Sequence, residues 1–183
     1  MSLSKESTAL ILIDLQEGIV KSDKGPYSAD DVVTKGKTLA DTFRKAGAPV
    51  VLIKVGFKAG EGPSRNVSNP SLPEQTPEGF DTLVPDLEQD GDIVIQKHHW
   101  GAFTGTELDL QLRRRGIKTV VIAGIATNFG VESTARSAWE LSYDVVIPED
   151  ACTSRNTELH EFSINNILKQ ISVVTTTDEI TLD

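Results

Sequence analysis

Short apolar runs alternate along this chain with longer stretches in which apolar residues recur at helical spacing. Thr8 to Ile13 is almost wholly apolar and ends at Asp14, which predicts a strand buried on both faces. Between Ala29 and Ala46, Val32, Val33, Leu39 and Phe43 fall close to helical spacing; Ser28 or Asp30 can cap the start and Gly47 stops it. Pro49 to Val55 predicts a second strand, Asp92 to Lys97 a third, Thr119 to Ala123 a fourth, Asp144 to Ile147 a fifth and Ser172 to Thr176 a sixth. Helices are predicted over Thr106 to Arg115, stopped by Gly116, over Gly130 to Leu141, and over Thr157 to Gln170. Gly56 to Glu78 is rich in Gly, Pro, Ser and Asn and predicts a long loop, of the length that more often serves function than not. After the sixth strand the pattern leaves little to place.

Strands that alternate with helices, and that are β-branched and apolar throughout, imply a parallel sheet covered by helices on both faces. No repeat or second unit interrupts the pattern, so residues 1–183 read as one α/β domain. In such sheets ligands bind beyond the carboxyl ends of the strands. The positions to inspect are therefore Asp14, the loop from Gly56, Lys97 to Trp100, and Gly124 to Gly130.

Asp14 ends an apolar strand, where a carboxylate is costly unless it is paired, hydrogen-bonded or used. It reads either as a cap at a strand end or as a general acid or base. Lys97 ends the third strand, where its ammonium could hold a carboxylate ionised, or could simply be solvated. His98 and His99 are adjacent and so point apart, which is poor spacing for metal ligands. Gly124 to Gly130 is a glycine-bounded turn from a buried strand into a helix. It reads as an oxyanion site or as an ordinary connection, and it lacks the spacing of a dinucleotide fingerprint.

Composition narrows the choices. Hydrophobic residues at 38% and charged residues at 25% are ordinary for a soluble protein, and no apolar run approaches the ~20 residues of a membrane helix. The formal net charge of −9 opposes binding to nucleic acid. Cys152 is the only cysteine and can form no internal disulfide; its expected state is a small buried residue. With no secretion signal in the first residues, a cytoplasmic location is expected.

Three separated segments, ALILIDLQ around Asp14, VIQKHHWGAFTGTELDLQLRRRGI around Lys97, and VVIAGIATNFGVESTARSAWELSYDVVIPEDACTS around Gly130, occur in an order and spacing that resemble the isochorismatase-like (cysteine hydrolase) family. The likeness runs from Thr8 to Ser154. It implies a three-layer α/β/α fold with a six-stranded parallel sheet, and a site of one Asp, one Lys and one Cys. Asp14 and Lys97 fall on the first two positions, and Gly130 falls on the third. Ala126 falls where the family often has a cis peptide whose N–H serves an oxyanion hole. Ser133 and Thr134 lie within the following helix and are poorly placed to replace a thiol.

The resemblance implies a hydrolase of a small metabolite. Glycine at the cysteine position also occurs in the true isochorismatases, which hydrolyse a vinyl ether by protonation from the Asp and addition of water. Asp14 and Lys97 would suffice for that chemistry on an isochorismate-like substrate. Those enzymes tend to have an aromatic residue where this chain has Ala126. A non-catalytic member that binds a ligand or joins an assembly, and an amide or imide hydrolase with another nucleophile, stay open as alternatives. Gln16, Arg65, Trp100 and Phe129 are the further candidates for a substrate pocket. Nicotinamidase-like relatives bind a metal through Asp and His after the second strand; Gly56 to Ser68 contains neither, so no metal and no cofactor is expected. Relatives are commonly homo-oligomers, and at least a dimer is expected.

Overall fold

The central strand, β1 (Thr8–Ile13), has all six residues buried, as a strand covered on both faces must. It lies between β2 (Val50–Val55), paired from Leu10 opposite Val50, and β4 (Thr119–Ile125), paired from Thr8 opposite Thr119 to Ile13 opposite Gly124. With β3 (Ile93–Lys97), β5 (Asp144–Pro148) and β6 (Val173–Thr175) the order is β3-β2-β1-β4-β5-β6, and every pairing is parallel. A two-residue strand, Cys152–Thr153, adds a seventh member beside Gly124 and Ile125. This is the parallel α/β architecture that the resemblance implies, seen in a computed structural model that describes residues 1–68 and 73–183. The loop expected over Gly56 to Glu78 thus lies partly outside the described residues.

Helices flank the sheet. The helix α1 (Ala29–Ala46) has the predicted bounds because both of its ends are capped. The Ser28 hydroxyl accepts from the Asp31 N–H at 3.1 Å while the Asp31 carboxylate accepts from the Ser28 N–H at 3.3 Å, and Gly47 turns left-handed at φ 77°. Its buried face is Val32, Gly36, Leu39, Ala40 and Phe43, a stripe at helical spacing. The helix α2 (Leu108–Arg113) is shorter than predicted because Thr106 leaves the helical path: its hydroxyl donates to the Ala102 carbonyl at 2.5 Å and accepts from the Leu108 N–H at 3.2 Å.

Two helices contain wide π turns that the 3.6-residue pattern does not reveal. The helix predicted from Gly130 begins three residues earlier, as a π turn over Thr127–Val131 that runs into α3 (Glu132–Glu140). The last helix opens as α4 (Thr157–Phe162), widens over Ser163–Leu168 and closes over Lys169–Ile171. The chain beyond β6 is also more ordered than its pattern suggests. Thr181–Leu182 pairs in parallel with Ser2–Leu3, and Thr177 anchors the tail to the Asp150 carboxylate at 2.8 Å. Among the described residues no helix is long and apolar enough to cross a membrane.

Strand β1 and its neighbour β4 approach so closely at their carboxyl ends that one position admits only glycine. Gly124 has φ 124°, and a Cβ there would lie 2.1 Å from the Ile13 carbonyl oxygen. Gly124→Ala should lower the stability of the fold by about 3 kcal/mol, the upper range of what overpacking costs, measured as a fall in the urea midpoint with an unchanged m-value.

Candidate active site

Strand β1 ends by turning sharply. The Asp14 N–H still donates to the Ile53 carbonyl at 2.9 Å, as a further residue of the strand would, but the backbone of Asp14 then adopts φ 53°. That turn carries the carboxylate out over the end of the sheet. Strand β3 ends on Lys97, paired with Val55 and separated from β1 by the whole of β2. Two strand spacings are about 10 Å, a gap that the long lysine side chain helps to bridge. Lys97 Nζ donates to Asp14 Oδ2 at 2.8 Å and to the His99 carbonyl at 3.0 Å.

The pair is withdrawn from water, with Lys97 2% and Asp14 5% exposed. Burial pushes the Asp14 carboxyl above its ordinary value, while the charge and hydrogen bond of Lys97 pull it down. The raised direction prevails because desolvation is the larger effect. Asp14 Oδ2 is committed to the ammonium, but Oδ1 is buried without a hydrogen-bond partner among the described residues. Such an atom in a native fold calls for a reason.

Both head groups border a cleft of about 260 Å³ at the carboxyl edge of the sheet. Its far wall comes from the segment after β4. The peptide Ile125–Ala126 is cis, the π turn starts at Thr127, and Ile125, Ala126, Phe129 and Gly130 all line the cleft. Gly130 is turned towards the ion pair. A Cβ on it would sit 3.4 Å from Asp14 Oδ2, 3.5 Å from the Trp100 carbonyl oxygen and 2.9 Å from the Ile13 Cγ2 methyl. The Trp100 and Phe129 rings meet at a centroid distance of 4.7 Å and give the cleft an aromatic side.

The turn is held from behind. Thr127 shares a 2.8 Å hydrogen bond with His160 Nδ1 of α4, whose ring meets Tyr27 in a T-shaped contact. The Ser154 hydroxyl donates to the Asn128 side chain, and Thr134 donates to the Gly130 carbonyl at 2.6 Å while accepting from the Ala102 N–H at 3.1 Å.

Of the residues singled out by the sequence, Asp14, Lys97, Ala126, Gly130, Trp100 and Phe129 come together on this one cleft. Gln16 does not line it. Its amide is fully buried, donating to the Val55 and Phe80 carbonyls at 2.9 and 2.8 Å and accepting from the Val55 N–H at 2.8 Å, so it ties β2 to the Phe80 segment. Arg65 is an exposed residue of the loop and is absent from the described lining. Cys152 is completely buried, its thiol donates to the Pro148 carbonyl at 3.5 Å, and burial pushes its pKa up to about 12. Among the described residues no three His, Cys, Asp or Glu side chains converge as metal ligands would.

Sequence reasoning missed Ile19, Phe80, Lys24 and Arg155, all of which line the cleft. Arg155 lies two residues beyond the short strand Cys152–Thr153, so an inspection of the segment after every strand would have reached it. Lys24 carries no such signal.

Comparison with known proteins agrees with this architecture. Residues 8–179 match the isochorismatase domain. The chain is 48% identical to an uncharacterized isochorismatase family protein, YecD, of Escherichia coli O157:H7, over 98% of this chain and 97% of that one. It is 33% identical to the ureidoacrylate amidohydrolase RutB of Acinetobacter baylyi, over 91% of this chain and 79% of the relative. Among solved structures, an isochorismatase family protein from Burkholderia thailandensis superposes with a TM-score of 0.93 at 40% identity, covering 98% of this chain and 95% of the other.

Two outcomes follow from the geometry. Burial lowers the His160 pKa below its ordinary 6.5, so its contribution to stability is present above that value and is lost as pH falls through the folded pKa. Resistance to urea should therefore fall from pH 7 towards pH 5, with a shallower slope in His160→Gln. Separately, a side chain at residue 130 points at the Lys97–Asp14 pair, beside an ammonium that lowers a thiol's pKa. Gly130→Cys should introduce a thiol that iodoacetamide modifies faster than Cys152, at a packing cost of about 1–3 kcal/mol for displacing the Ile13 methyl. Modification confined to Cys152 in the folded variant would contradict the placement of residue 130.

Proposed function

The chain belongs to the isochorismatase family of hydrolases, and from the groups on its cleft we propose that it hydrolyses a small enol ether of the isochorismate type, by acid catalysis and without a covalent intermediate. The observation that carries this reading is the Asp14 carboxyl, with Oδ2 on the Lys97 ammonium and Oδ1 free of protein partners among the described residues. Burial favours its protonated form. The proton then has its place on Oδ1, the oxygen that the Lys97 ammonium does not occupy.

In the reaction, Asp14 Oδ1 gives its proton to the terminal carbon of the enol ether. The double bond supplies the electron pair for the new C–H bond, and an oxocarbenium ion is left at the ether carbon. Water adds to that carbon and loses a proton to the Asp14 carboxylate. The resulting hemiketal collapses to a ketone and an alcohol. Lys97 stabilises the carboxylate that appears in the first step and is consumed in the second. No step requires a nucleophilic side chain, which suits a glycine at residue 130 and a Cys152 locked away at high pKa.

The relationship to RutB favours a second reading, hydrolysis of an amide. In that case the carbonyl would be attacked directly by water activated by ionised Asp14, since Gly130 offers no thiol. The two readings place opposite demands on Asp14, a proton donor at the start for the ether and a base for the amide.

Asp14→Asn is nearly isosteric and cannot exchange the proton. Turnover of isochorismate should fall by about a hundred- to ten-thousand-fold, with the fold retained by circular dichroism. Simple amides assayed alongside separate the two readings. A wild-type enzyme that turns over amides and leaves isochorismate unchanged would replace the first reading by the second, and an undiminished rate in Asp14→Asn would refute both.

A further inference from the structure

In a chain of 27 acidic and 18 basic residues, cations are expected to find carboxylates readily. Lys21, Lys35, Arg44, Lys54, Arg113 and Arg136 do so, each within an ion pair of 3.3 Å or less. Lys24 and Arg155 are among those that do not. Neither forms an ion pair with a carboxylate of the described residues, yet both line the cleft that holds Asp14 and Lys97.

Their meeting is built by the backbone. Gly25 and Ser154 exchange two antiparallel hydrogen bonds, from the Gly25 N–H to the Ser154 carbonyl at 3.0 Å and from the Ser154 N–H to the Gly25 carbonyl at 3.1 Å. Lys24 immediately precedes the one residue and Arg155 immediately follows the other, which in an antiparallel bridge sets them side by side. The Thr153 hydroxyl ties the same loop at the Tyr27 carbonyl, at 2.7 Å. The approach is close enough that a Cβ on Gly25 would lie 3.0 Å from the Thr157 backbone nitrogen.

Each head group is also oriented. Lys24 Nζ donates to the Ser22 carbonyl at 2.8 Å and to the Ser22 hydroxyl. The Arg155 guanidinium lies over the Phe129 ring, 5.4 Å from its centroid, on the aromatic side that Phe129 shares with Trp100. Holding two cations together carries an electrostatic cost. Burial and then the Arg155 charge lower the Lys24 pKa, against the opposing pull of Asp23. An anion between them would relieve that cost.

We propose that Lys24 and Arg155 form the carboxylate-binding end of the cleft, and that the ligand is a small, flat, unsaturated acid. Its carboxylate is held by the guanidinium and the ammonium, and its unsaturated part lies along Trp100 and Phe129 with the reacting carbon towards Asp14. The assignment rests on the hydrolase reading of this cleft and extends it by naming what the substrate carries besides its reacting group. Arg155 and Lys24 act in binding, and the proton transfer stays with Asp14.

The test uses benzoate and benzamide, which share shape and differ in charge, titrated into the full-length protein at low salt and followed by heteronuclear NMR shifts. Benzoate should bind at least about tenfold more tightly than benzamide, the least expected of a charge-assisted pair. Added salt should weaken benzoate only. Arg155→Gln should abolish the preference and Lys24→Gln should reduce it, both with unchanged thermal unfolding, since Arg155 is exposed and Lys24 half-buried. Equal affinity of the two probes for the wild type, no saturation by benzoate, or an intact preference in folded Arg155→Gln would overturn the proposal. Because no turnover is measured, such a failure is distinct from a failure of the acid mechanism, which Asp14→Asn kinetics report.

Discussion

A carboxylate and an ammonium held together out of water govern the end of this sheet. Removing either charge from solvent costs several kcal/mol, and the attraction between them offsets that cost only when geometry is good. Here the geometry is supplied by strand order. Asp14 leaves β1 through a left-handed turn, Lys97 leaves β3 two strands away, and β2 between them is braced by the buried amide of Gln16. The pair therefore reports on the alignment of three strands at once. Its second carboxyl oxygen, with no protein partner among the described residues, is the chemical remainder of that arrangement.

The segment after β4 closes the cleft by opposite means. Where the ion pair needs long and charged side chains, this wall needs side chains to be missing. Gly124 lets the backbone of β4 lie against Ile13, and Gly130 leaves space against the Asp14 carboxylate. The proposed chemistry depends on that second absence. A thiol at residue 130 would stand where a nucleophile could attack a carbonyl, while glycine leaves a proton donor and room for a small ligand. In that proposal the family fold changes its reaction class through one side chain, with the acid and its ammonium partner kept.

Much of this was legible in the sequence, for reasons that are physical. Strands buried on both faces cannot alternate polar and apolar residues, so Thr8–Ile13 and Thr119–Ala123 declared themselves; Asp14 stood out at the end of the first, and Lys97, ending another strand, gained its meaning beside it. The helix from Ala29 was marked at both ends by its caps. What escaped was whatever periodicity does not encode. The π turns depend on tertiary hydrogen bonds, such as the Ser163 hydroxyl on the Thr127 carbonyl at 3.4 Å. The Lys24–Arg155 juxtaposition depends on two backbone hydrogen bonds between segments some 130 residues apart. Gln16 was a candidate for the pocket, yet its amide is taken up by backbone groups that only the folded chain brings near.

The wide turn over Thr127–Val131 has a consequence for how this wall tolerates change. A residue added to or removed from a helical path rotates everything after it by about 100°. The stripe of Thr134, Ala135 and Ala138 that α3 buries is in phase with the sheet only given the number of residues that the turn contains. Substitutions here alter chemistry one side chain at a time, whereas a single deletion would re-aim the whole helix and swing its small-residue stripe away from the core. The wall is thus open to variation in identity and closed to variation in length, so new reactions can arise here by exchange of residues and not by trimming of the loop.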